Sequence, residues 1–115
     1  MISYRQADLL TTLHKPLGLR VIFDLKKSKP RVIDIKTVRL VSDDRALDYS
    51  VLIKNMLDTA IDEFAREDEF GDKLSVLQSA IRLVVSQLKQ SKKMTNEEPL
   101  HDDIDDKLEW VVYLK

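Results

Sequence analysis

Leu19-Arg20-Val21-Ile22-Phe23-Asp24-Leu25-Lys26, then Lys27-Ser28-Lys29-Pro30, then Arg31 through Val41 is the stretch on which the fold turns. Leu19, Val21, Phe23 and Leu25 fall on one side of a period-two pattern, and Arg20, Asp24 and Lys26 fall on the other. Only Ile22 breaks the alternation, and the residue types favour a strand. Pro30 fixes φ and offers no donor, so residues 27–30 read as a turn-like link. Residues 31–41 then return as a second strand. Along it the apolar phase moves from Ile33 and Ile35 to Val38 and Leu40. A one-residue slip sends side chains to the opposite face, so a bulge is expected near Lys36-Thr37. The stretch predicts a β-hairpin.

After the hairpin the period changes. Ser42, Asp43 and Asp44 offer N-cap oxygens and negative charge at a helix start. Tyr49, Leu52, Ile53, Met56, Leu57, Ala60, Ile61 and Phe64 form one face of a helix over about residues 45–69. Gly71 suits a left-handed terminus and Asp72 the next N-cap, so a helical hairpin follows. The second helix, about 73–91, is apolar over more than half its circumference. Leu74, Val76, Leu77, Ala80, Ile81, Leu83, Val84, Val85 and Leu88 all belong to it. Such a helix is buried on more than one side, centrally in the fold or at a subunit interface.

Residues 92–106 carry little apolar content and no period, and end in Asp102, Asp103, Asp105 and Asp106. They read as a mobile acidic linker. Leu108, Trp110, Val112 and Leu114 then alternate with Glu109, Val111 and Tyr113 as a last strand. At the other end, Ser3 and Gln6 make a capping-box pattern before Ala7, Leu9, Leu10 and Leu13, and predict a short helix over about 4–14. The expectation is one α+β domain over residues 1–115. A small antiparallel sheet, hairpin plus C-terminal strand, packs against an α-helical hairpin, with a short N-terminal helix. Its core should hold Val21, Phe23, Ile33, Ile35, Met56, Ala60, Phe64, Leu77, Ile81, Val84 and Trp110.

The chain has 115 residues, 43% of them apolar and 34% charged, with no cysteine. That composition is globular, and it removes disulfides and thiolate chemistry together. Neither a signal-peptide pattern nor a run of apolar residues long enough for a bilayer occurs, so a soluble, cytoplasmic protein with no membrane partner is expected. Gly18 and Gly71 stand alone, which excludes the common glycine-rich phosphate loops. His14 and His101 lack metal-ligand spacing, and the aspartates of 102–106 lack the spacing of a calcium loop. No base–nucleophile pair stands out. The reading is therefore of a protein that is not an enzyme, with no catalytic residues, metal, cofactor or small-molecule substrate.

Charge is divided by position. Residues 1–42 hold nine Lys/Arg and three acids, while residues 43–115 hold ten and seventeen. Asymmetry of this kind points to partners rather than to fold. Two functional expectations follow. The first is a non-catalytic protein-interaction or regulatory protein, with itself as a homodimer among its partners. Its interface would use the over-apolar second helix and the last strand: Val76, Leu83, Trp110 and Val112. The alternative is a nucleic-acid-binding module in which Lys26, Lys27, Lys29 and Arg31, crowded at the hairpin turn, neutralise phosphates. The acids Glu63, Glu67, Asp68 and Glu69 sit at the dipole-unfavourable end of the first helix, and a basic patch such as the hairpin should face them.

Overall fold

The structure, a computed structural model, describes residues 16–40, 42–67, 72–102 and 107–115. The short helix expected over 4–14, and Gly71 as a helix terminus, lie outside the described residues. Strands β1 (Leu17–Asp24) and β2 (Arg31–Thr37) are followed by helices α1 (Ala46–Glu67) and α2 (Lys73–Gln90). Strands β3 (Met94–Glu97), β4 (His101–Asp102) and β5 (Leu108–Leu114) complete the order. All pairings are antiparallel, in the sheet order β2-β1-β5-β3, with β4 also on β5. The fold is α+β, as expected. The sheet is four positions wide rather than three, and β3 and β4 share the outer one.

That fourth position comes from the segment read as a linker. Met94 lies opposite Leu114, Glu97 opposite Val112 and His101 opposite Glu109. Pro99 stands between the two short strands and has no N–H for the ladder, which confines such a segment to an edge. The reversal from α2 into β3 uses Lys92 in the left-handed region, at φ 56°. The Lys92 and Lys93 amides donate to the carbonyls of Lys89 and Leu88 and close the helix end.

The core lies between the sheet and the helical hairpin. Leu17, Leu19, Val21 and Phe23 of β1 and Leu108, Trp110, Val112 and Leu114 of β5 are all buried, and the alternation predicts their common face. Against them α1 sets Ile53, Leu57, Ala60 and Ile61. The second helix buries Val76, Leu77, Ala80, Ile81, Val84, Val85 and Leu88, so its broad apolar surface is used centrally within the fold. Its N-cap is Asp72, whose carboxylate accepts the Leu74 amide. Among the described residues no helix is long and apolar enough to cross a membrane.

The hairpin bulge is real but displaced. Ile22 lies opposite Asp34 and Phe23 opposite Val32, so Ile33 is the extra residue. Val32 is buried and Ile35 half-buried against the core, three residues apart, and only an inserted residue lets both face inward. Ile33 is thereby turned out of the core, contrary to expectation, at 38% exposure. Beyond Val38, whose amide still bonds to β1, the chain leaves the ladder, and Leu40 is fully exposed.

At the start of α1 the Asp43 carboxylate accepts the Arg45 amide at 2.9 Å and its guanidinium at 3.0 and 2.7 Å. The guanidinium bonds hold the Asp43 carboxyl below the usual aspartate range. Because the folded pKa is depressed, the pair contributes stability above the unfolded aspartate pKa and loses it as pH falls through the folded one. Asp43→Asn should lower stability by about 1 kcal/mol at neutral pH, a difference that closes in acid; urea titrations across pH measure it. Gly18 answers a different constraint. A Cβ there would lie 2.9 Å from the Tyr113 ring and 3.0 Å from Val38. Gly18→Ala should therefore cost about 1–3 kcal/mol through overpacking, read as a fall in thermal midpoint.

Candidate functional site

The hairpin cations do not form a free basic cluster. Lys29 bonds to the Asp62 carboxylate on α1, and Arg31 lies 3.8 Å from Asp24. Farther along the hairpin, Lys36 lies 3.7 Å from Asp34 and Arg20 4.0 Å from Glu109. Asp24 also caps the turn by accepting the Lys26 amide at 3.0 Å. Among the described residues Lys26 and Lys27 are exposed and have no ion pair. Exposed pairs contribute little, about 0–1 kcal/mol each, but each acid beside a cation lowers the local positive potential. The hairpin meets α1 through Asp62 rather than through the acids expected to face it: among the described residues no ion pair joins it to Glu63 or Glu67, and Asp68 and Glu69 lie outside the described residues.

The four residues read as a partner interface have separate fates. Val76, Trp110 and Val112 are buried by the chain's own elements, Trp110 and Val112 completely. Leu83 is half-buried and lines a groove between the helices with Phe64, Ser79 and Arg82. Trp110 is tied down by its polar edge as well. Its Nε1–H donates to Glu97 Oε2 at 2.7 Å, while Arg82 Nη2 donates to Glu97 Oε1 at 2.6 Å. One carboxylate on β3 thus joins the buried indole of β5 to α2. The sequence offered no sign of that role, because Glu97 lies in a polar run.

Part of the apolar surface left uncovered lies at the outer edge of β2, apart from exposed Leu40 and Leu74. No described strand pairs with that edge. Ile33 projects there at 38% exposure beside Val51 of α1 at 53%, and Leu47, one helical turn before Val51, is 74% exposed. Val51, Ser50 and Lys54 line a recess of about 200 Å³ against Val32, Ile33, Asp34 and Ile35. The backbone phase can be followed from one bond: the Val38 amide donates to the Gly18 carbonyl at 2.9 Å. Hydrogen-bonding direction alternates along an antiparallel strand. Asp34 and Lys36 therefore turn their backbone groups to β1, and Ile35 and Thr37 turn theirs outward.

None of these edge residues was assigned to a site from sequence. Two signals were present. The doublet Val32-Ile33 would place its two side chains on opposite faces of a regular strand of period two, and Leu47 and Val51, one helical turn apart, lie off the main apolar face of α1.

Chemistry at other places is sparse. Among the described residues no group of three or more His, Asp or Glu could hold a metal ion, and no polar or charged side chain is buried. Burial, with Glu98 beside it, pushes the Tyr113 phenol above its ordinary range. His101 bridges Glu109 at 3.1 Å and the Pro99 carbonyl at 3.3 Å, both on the surface. Compared with known proteins, the chain matches no family model, no curated protein and no solved structure.

Removing the Glu97 side chain should be costly for its size. Glu97→Leu leaves the buried Trp110 N–H unsatisfied and should lower unfolding free energy by about 1–3 kcal/mol. Glu97→Gln keeps an acceptor and should lose less. Denaturant titrations followed by fluorescence of Trp110, the only tryptophan, separate the two.

Proposed function

We propose that this chain is a non-catalytic protein-interaction protein whose working surface is the open edge of β2 with the flank of α1. One observation carries the reading: outward-turned backbone groups of a strand lie next to the exposed apolar side chains of Ile33 and Val51. A strand added to such an edge gains main-chain hydrogen bonds along its length and side-chain contacts with the flanking helix. The residues around the edge are suited to binding rather than to bond-making, since apolar side chains alternate with exposed charges.

The nucleic-acid reading would rest on Lys26 and Lys27, because Lys29 and Arg31 already face carboxylates. Two unpaired cations supply few phosphate contacts, and phosphate contacts dominate such binding. Protein interaction is the better supported of the two.

The test is a photo-crosslinking side chain introduced at Val51 in cells making the full chain, with the same probe at Lys89 of α2 as the comparison. A discrete protein adduct from position 51, absent from position 89, is the expected outcome. Equal labelling at both positions, or none, would defeat the proposal. A nuclease-sensitive adduct would transfer support to the nucleic-acid reading. Adduct mass separates a second copy of this chain from a different protein.

A further inference from the structure

We infer that the occupant of the β2 edge is the β2 strand of a second copy, paired antiparallel about a two-fold axis at Ile35. The inference rests on the edge being the working surface and adds what fills it. Antiparallel self-pairing with the axis perpendicular to the sheet places residues of like parity opposite each other, so both helical layers stay on one side. Three registers are then open for residues 33–37, centred on Asp34, Ile35 or Lys36. The first sets Asp34 against the Asp34 of the second copy, and the third sets Lys36 against Lys36. Like charges directly opposite are destabilising. Only the middle register sets Asp34 against Lys36, twice, across the axis.

The same register satisfies the backbone. Ile35 and Thr37 have outward-turned N–H and C=O groups, by the alternation counted from the Val38 bond to Gly18. Ile33, the extra residue of the bulge, has no partner on β1. In the middle register Ile35 meets Ile35 and Thr37 meets Ile33, as hydrogen-bonded pairs. Asp34 and Lys36 meet as non-hydrogen-bonded pairs, whose side chains lie closer together. Within one chain they form an exposed ion pair at 3.7 Å, which contributes little and is exchanged for two such pairs across the axis. On the helical side the register brings Ile35 and the exposed Val51 of both copies to the axis and covers apolar surface there. Bulges and edge charges are devices that protect a strand edge against pairing, and β2 carries both, but its bulge at Ile33 lies at one end of the paired span. Here the central charges are of opposite sign and self-complementary.

The experiment is sedimentation equilibrium on the full chain and three variants: Asp34→Lys, Lys36→Asp, and the double exchange. The wild type should form a concentration-dependent dimer. Each single variant should weaken it roughly tenfold or more, by replacing attraction with repulsion at both symmetric positions, and the double exchange should restore it. A wild type that stays monomeric, or a dimer indifferent to all three variants, would overturn the inference. A monomeric wild type that still crosslinks a different protein at Val51 would leave the edge as an interaction surface and remove only the second copy. Hydrogen exchange on the wild type needs no variant to fold. Amides of Ile35 and Thr37 should become protected as protein concentration rises, whereas those of Asp34 and Lys36 should be protected throughout. Concentration-independent exchange at Ile35 and Thr37 would count as failure.

Discussion

The antiparallel pair of β1 with β5 is the constraint around which the rest is arranged. Leu19 against Val112, Val21 against Trp110 and Phe23 against Leu108 join the two ends of the described chain at the centre of the sheet. Their core-facing side chains are buried, and everything between them in sequence is an excursion that leaves and returns. Bringing such distant segments together carries a loop-closure entropy that local hairpins avoid. The helical hairpin reduces the difficulty by presenting an already apolar face over both strands. Once β1 and β5 are joined, each has one edge left. The hairpin partner takes the first, and β3 with β4 takes the second.

The elements that the sequence disclosed are those whose apolar residues repeat with the period of their own backbone. Val21 and Phe23, Ile53, Leu57, Ala60 and Ile61, and Trp110, Val112 and Leu114 all do so, and all are buried as their patterns require. The strands that escaped notice have no such repeat. Only Met94 of β3 is buried, because an edge strand contributes one face over a short span, and β4 is exposed on both residues. Their entry was masked too, since Lys92 supplies a left-handed turn where a glycine would have announced one. The site was less legible than the fold. Burial of Val76, Trp110 and Val112 depends on which neighbours pack on them, a tertiary fact that one-dimensional periodicity does not contain. The displaced bulge has the same origin: Val32, Ile33 and Ile35 permit several phases, and contact with α1 selects one.

The division of charge along the chain is partly spent inside the molecule. Lys29 from the basic half meets Asp62 from the acidic half, and Arg20 approaches Glu109, which also holds His101. On the face of the sheet away from the helices, Arg31 beside Asp24 and Lys36 beside Asp34 continue the alternation of sign. Folding therefore converts a separation in sequence into adjacency in space. What remains at the turn is the pair of lysines at positions 26 and 27, a much smaller source of field than the count of cations in that half suggests.

The two edges of the sheet are not equivalent. On the β3–β4 side the register shifts between Met94 and Asn96, Pro99 breaks the ladder, and neither strand is long. Such an edge offers little template for another strand. The β2 side also carries a bulge, at Ile33, but its strand is longer, unbroken by proline and unpaired among the described residues. A sheet with a single receptive edge can be extended once and no further. Growth at that edge terminates in a closed assembly, whereas a sheet receptive on both sides would propagate into fibres.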